Sequence, residues 1–119
     1  MPWNLDNDKP IFIQLVERMQ NDILSGQYKP GQKFPSVREL AMDAGVNPNT
    51  MQKALQELER TGLIITNRTY GRFVTEDLNA INNANQDTIK KTVKRFISDM
   101  EALDVRGNDI IVAVKGELQ

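Results

Sequence analysis

The chain has no cysteine and no histidine in its 119 residues. Thiol nucleophiles, imidazole bases, disulfides and the usual zinc ligands are excluded by that inventory alone. No carboxylate pair stands at a recognisable catalytic spacing, so enzyme activity, a cofactor and a metal are not expected. An excess of charge of one sign is missing too. Lys and Arg number 15 against 16 Asp and Glu, for a formal net charge of -1, whereas many DNA-binding domains are basic overall. Long apolar runs are absent, none approaching the ~18 residues that a membrane-crossing helix needs. The N-terminal MPWNLDNDKP has no basic segment followed by an apolar stretch. A cytoplasmic protein without a membrane partner is the expectation.

What is present suffices for a core. Hydrophobic residues make up 39% and charged residues 26% of the chain, within the range of globular domains. The length suits one domain, or a small domain with an appendage. Charge is also unevenly spread. Between Lys29 and Thr75 stand Lys29, Lys33, Arg38, Lys53, Arg60, Arg68 and Arg72, against Glu39, Asp43, Glu57 and Glu59. Seven positive and four negative groups give this stretch a balance of +3, and the flanks carry the compensating acid.

Apolar periodicity predicts the elements. Ile11, Leu15, Val16, Met19, Ile23 and Leu24 recur at helical spacing, predicting a first helix from Pro10 to about Ser25 with Gly26 as its left-handed stop. A turn-rich segment through Pro30, Gly31 and Pro35 follows. Ser36-Val37-Arg38-Glu39 matches a capping box opening a second helix over about 37–44, which Gly45 ends. Asn47 can then cap a third helix whose first position is Pro48, where a missing N–H costs nothing. Met51, Ala54, Leu55 and Leu58 share one face of it. Two short helices joined by so tight a turn form a helix-turn-helix. Leu63-Ile64-Ile65 and Arg72-Phe73-Val74, separated by the turn residues 67–71, predict a hairpin wing. The asparagine-rich residues 78–87 read as a connector, part of which could extend the next helix. That helix is predicted from Thr88 to about Leu103, with Asp87 as N-cap and Ile89, Val93, Phe96, Ile97, Met100 and Leu103 as its stripe. After a break at residues 106–108, Ile110, Ile111, Val114 and Leu118 suggest a short final helix.

The expected fold is therefore α+β and mainly helical. Residues 1–76 form a winged helix-turn-helix of three helices plus a β-hairpin, and residues 77–119 a connector and a two-helix dimerisation tail. The third helix offers Asn49, Gln52, Lys53 and Gln56 opposite its apolar set. Amides can pair bidentately with adenine, and lysine can reach guanine edges or phosphate. An ordinary solvated face is the competing account, which the helix-turn-helix spacing and the wing oppose. Ser36 and Arg38, at the start of the second helix, can face phosphate, although Arg38 could equally pair with Glu39 or Asp43. Arg68 and Arg72 bracket the wing turn, either as solubilising charge or as contacts to the DNA backbone or minor groove. The tail stripes, including Ile110, Ile111 and Val114, are too short to close a core alone. They can pack on the winged domain or on a second copy. The second option presents two reading helices to a two-fold site.

The ordered signals Pro10-Ile11-Phe12-x-Gln14-Leu15, Gly26-x-x-Lys29-Pro30-Gly31-x-x-Phe34-Pro35-Ser36-Val37-Arg38-Glu39-Leu40-Ala41, Gly45-Val46-Asn47-Pro48-Asn49-Thr50 and Ala54-Leu55-x-x-Leu58-Glu59-x-x-Gly62-Leu63-Ile64 resemble the winged helix-turn-helix of GntR-family transcriptional regulators. The short tail is similar to that of the YtrA subfamily, whose tails dimerise and whose genes often accompany ABC transporters. The resemblance implies operator contacts from Arg38, Asn47, Asn49, Thr50 and Gln52, with Gly71 at the wing tip. Pro48 replaces a frequent arginine, so one contact is missing or replaced. Thr69-Tyr70-Gly71-Arg72-Phe73 keeps only the second glycine of the usual Gly-x-Gly-Thr-Phe wing. Larger members add a ligand-binding domain. Only 43 residues follow Glu76 here, too few to enclose a typical small-molecule cavity, so an effector would have to bind between domains or across a dimer. The expected function is a homodimeric, sequence-specific DNA-binding regulator acting as a repressor on an inverted-repeat operator. The competing reading is a winged-helix protein-interaction adaptor.

Overall fold

A computed structural model describes residues 3–119. Its elements run α1 (Ile11–Leu24), α2 (Val37–Ala44), α3 (Pro48–Arg60), β1 (Ile64–Asn67), β2 (Gly71–Val74), α4 (Leu78–Ala102) and α5 (Asn108–Leu118). The chain divides into two compact units, one ending at Asn82 and the other spanning Asn83–Gln119. The division falls inside α4, beyond the Glu76 that closes the winged region in the sequence.

The first unit is built on local signals. Pro10 precedes α1 as its N-cap instead of filling its first turn. Having no side-chain cap there, the helix is steadied by Gln14, whose Nε2 donates to the Asp6 and Lys9 carbonyls at 2.6 and 3.1 Å. At α2 the capping box is complete. Ser36 Oγ accepts from the Glu39 N–H at 3.1 Å, and Glu39 Oε1 accepts from the Ser36 N–H at 3.3 Å. Gly45 ends α2 in the left-handed region at φ 73°, where a Cβ would be strained. Asn47 Oδ1 then accepts the Asn49 N–H at 2.7 Å, so only residues 45–47 separate α2 from α3, with Pro48 at the first position of α3.

These helices pack because each turns an apolar face inward. Leu15, Met19 and Ile23 of α1, Leu40, Ala41 and Ala44 of α2, and Met51, Ala54, Leu55 and Leu58 of α3 are buried together with Phe34, Leu63, Ile64 and Val74. Strands β1 and β2 pair antiparallel, with Ile64 opposite Val74 and Asn67 opposite Gly71. The loop before α2 joins them, a pairing that sequence periodicity did not suggest. The Val74 N–H donates to the Gln32 carbonyl at 2.9 Å and the Phe34 N–H to the Arg72 carbonyl at 2.8 Å, and Lys33 bridges to Phe73.

The connector expected at residues 78–87 is instead the first part of α4. Asp77, and not Asp87, is its cap: Oδ1 of Asp77 accepts from the Asn79 and Ala80 N–H groups at 3.0 and 3.3 Å. Asparagine costs a helix only a few tenths of a kcal/mol per residue, which extension of a nucleated helix offsets. Asp87 lies in the helix and pairs with Lys91 at 3.0 Å. After a turn in which Asp104 and Gly107 take positive φ, α5 follows. Nothing from Asn83 to Gln119 is buried. Among the described residues no helix is long and apolar enough to cross a membrane.

Candidate nucleic-acid interface

The burial of Met51, Ala54, Leu55 and Leu58 decides which side of α3 faces out. Asn49, Lys53 and Gln56 are exposed and Gln52 is half-buried, so the polar set forms a continuous outward face. Asn47 is exposed and Thr50 half-buried. The cap role of Asn47 occupies its side-chain oxygen with the Asn49 N–H, leaving its amide NH2 as the group that can reach a ligand. The proline at the start of α3 contributes no N–H donor.

Ser36 and Arg38 sit at the opening of α2, and both are exposed. With the wing residues Gly71 and Arg72 and the loop residue Lys33, they line one open concavity of about 760 Å3. The wing tip is Arg68, Thr69 and Tyr70. Asn67 Oδ1 organises it by accepting the Thr69 and Tyr70 N–H groups at 2.9 and 3.0 Å. Gly71, expected at the tip, stands at its foot, paired with Asn67 at φ 98°. Tyr70 is two-thirds exposed (66%) beside the exposed Arg68. Sequence reasoning passed over Tyr70, since an aromatic in a turn carries no periodic signal.

Charge is sorted by pairing. Arg60 Nε donates to Glu57 Oε1 at 2.9 Å, and this hydrogen bond holds the Glu57 carboxyl below its ordinary range. Arg72 is drawn back from the wing onto Glu59 near the end of α3. Burial of Glu59 raises its pKa, but hydrogen bonds from Arg72 and Thr66 and the charge of Arg72 outweigh it and hold the carboxyl below the usual glutamate range. With those two pairs self-neutralised, Lys29, Lys33, Arg38, Lys53 and Arg68 oppose only Glu39 and Asp43. The local excess of positive charge thus rests on groups free of carboxylate partners among the described residues.

The Glu59–Arg72 pair clamps the wing to α3, and its sign with pH follows from the lowered pKa. Such a pair stabilises fully above the ordinary glutamate value of about 4.3 and loses its effect as pH falls through the lower folded value. Glu59→Gln is therefore expected to lose stability less steeply than the parent between about pH 5 and about pH 3, read from urea midpoints. Parallel curves would show that the pair does not hold the wing.

The sequence profile of the family described as bacterial regulatory proteins, gntR family, matches residues 13–74. The HTH-type transcriptional repressor YtrA of Bacillus subtilis is 42% identical over 91 residues, covering 76% of this chain and 70% of that protein. A solved GntR family transcriptional regulator from Listeria monocytogenes superimposes with a TM-score of 0.87 at 41% identity, over 94% of this chain and 98% of the other. The DNA-binding domain of AraR, solved in complex with operator ORX1, matches 63% of this chain and 92% of its own at TM-score 0.54 and 30% identity.

Proposed function

We propose that this chain, which belongs to the GntR family of non-enzymatic, DNA-binding bacterial transcriptional regulators, acts as a homodimeric repressor on an inverted-repeat operator. One observation carries the reading. Helix α3 spends its entire apolar face on the core and leaves Asn49, Gln52, Lys53 and Gln56 outward, an amide-rich set suited to base edges. Arg38, Ser36 and the wing tip supply contacts to the backbone, which give affinity and register without sequence choice. The relative YtrA is named a repressor, and AraR was solved on an operator, which supports carrying both roles to this chain. An ABC-transporter operon is the target that the YtrA resemblance suggests. DNA as ligand places the protein in the cytoplasm. The stripes of α4 and α5, from Ile89 and Val93 through Phe96, Ile97, Met100 and Leu103 to Ile110, Ile111 and Val114, are assigned to a second copy. Domain roles follow: the winged unit reads, and the tail pairs.

Selection of sites from random duplex DNA tests the proposal. The expected product is a two-fold repeat with half-sites about one helical turn, ~34 Å, apart; enrichment of a single unpaired site would overturn the dimer. On the selected duplex, Gln52→Ala is expected to lose about 1–3 kcal/mol of discrimination at particular bases, and Arg68→Ala to weaken all sequences alike. A Gln52→Ala protein with unchanged base preference would show that α3 does not read the sequence.

A further inference from the structure

Lys33 precedes α2 in a segment that hydrogen-bonds to β2 through an isolated antiparallel bridge at Phe73. Successive side chains of an extended segment point to opposite sides. Phe34 is buried, 2% exposed, and its ring meets Tyr28 at a centroid distance of 4.7 Å, so Lys33 is turned outward. Pro35 further restricts the residue before it to extended conformations. The backbone that carries Lys33 is thereby held on both sides.

Its side chain then crosses to the wing. A Cβ built on Gly71 would lie 3.5 Å from Lys33 Cε, so the stem of the lysine runs against the foot of the hairpin. The ammonium there makes no ion pair among the described residues. Arg72, adjacent to Gly71, is committed to Glu59. Glu39 is the carboxylate lining the same concavity, and it is engaged by the Ser36 N–H in the capping box. Lys33 and Arg38 are left as the cations lining this concavity that make no ion pair among the described residues.

We propose that Lys33 is a phosphate-contacting residue of the interface, its ammonium gripping the operator backbone between the start of α2 and the foot of the wing. This rests on the DNA-binding reading above. A lysine in that place acts as a point charge that displaces condensed counterions and carries no base information. It also explains how a wing that spends Arg72 on its own α3 keeps a cation at its base.

The test measures binding of the full chain to two duplexes of equal length, one carrying the selected site and one of unrelated sequence, across a salt series. For Lys33→Met, the slope of log affinity against log salt is expected to fall by about 0.9 for each lysine meeting a phosphate, hence by about 1.8 for a two-fold complex. Both duplexes should weaken by the same factor, and Lys33→Arg should restore the slope. Far-ultraviolet circular dichroism of Lys33→Met should match the parent, because the side chain is exposed. A parent protein that binds with a normal slope while Lys33→Met keeps that slope overturns the role of Lys33 alone. A parent that binds neither duplex overturns the DNA reading beneath it.

Discussion

Leu55→Ala is expected to lower the stability of the winged unit by about 2–5 kcal/mol, the range for truncating a buried leucine. Leu55 has no solvent exposure and lies on the face of α3 that packs against α1 and α2. Removing its branch costs the transfer of the lost atoms and leaves a cavity that a close-packed interior fills only in part. Small domains have about 5–15 kcal/mol in total, so a thermal midpoint lower by on the order of 10–30 °C is expected. The single tryptophan is a convenient probe. Trp3 stacks on the Arg18 guanidinium of α1, 4.7 Å from its ring centre, so its fluorescence follows this unit. Gln56→Ala, one position along the same helix but exposed, is expected to change stability by less than about 0.5 kcal/mol. Below its midpoint, Leu55→Ala should keep the base preference of the parent, because the outward face is untouched. A stability loss for Leu55→Ala as small as that for Gln56→Ala would mean that α3 does not face the core as described.

The contrast between those two neighbours was readable from spacing, because a helix converts position directly into side. The same holds for the helix-turn-helix as a whole. The contacts of Ser36 with Glu39, Gly45 with Ala41 and Asn47 with Asn49 each span four positions or fewer, so their roles need no tertiary information. Residues 78–87 misled because their composition favours turns. Half-buried Ile81, Ala84 and Thr88 nevertheless repeat at helical spacing. Arg72 was hidden for a different reason. Its partner Glu59 is 13 positions away, and no local pattern distinguishes an arginine held by α3 from one offered to DNA. Lys33 needed still more, since its meeting with Gly71 depends on the loop before α2 joining the sheet. The outward face of α3 was thus legible, whereas the sorting of cations into paired and free required the fold.

In the C-terminal unit, Phe96→Asp is expected to convert the proposed dimer to a monomer and to weaken binding to the proposed two-fold operator by about 10²–10⁴-fold, the advantage that linked sites confer. Phe96, Ile97, Val93 and Ile89 form one stripe of α4 at 40%, 37%, 48% and 48% exposure. With Met100, Val114 and Leu118, Phe96 also lines an apolar hollow of about 300 Å3. Two helices with no buried residue have little to offset the entropy of ordering them. A second copy laid on this stripe would cover the 40% of Phe96 still exposed, worth about 1 kcal/mol on each side. A carboxylate in the same place would have to be desolvated or would hold the surfaces apart. The winged unit keeps its own core, so Phe96→Asp should still bind a single half-site with the base preference of the parent. Sedimentation equilibrium gives the mass and a gel shift on full and half sites gives the affinities. A protein that remains dimeric after Phe96→Asp would place the interface elsewhere. One that becomes monomeric yet binds the full site undiminished would show that pairing through the tail contributes nothing to operator recognition.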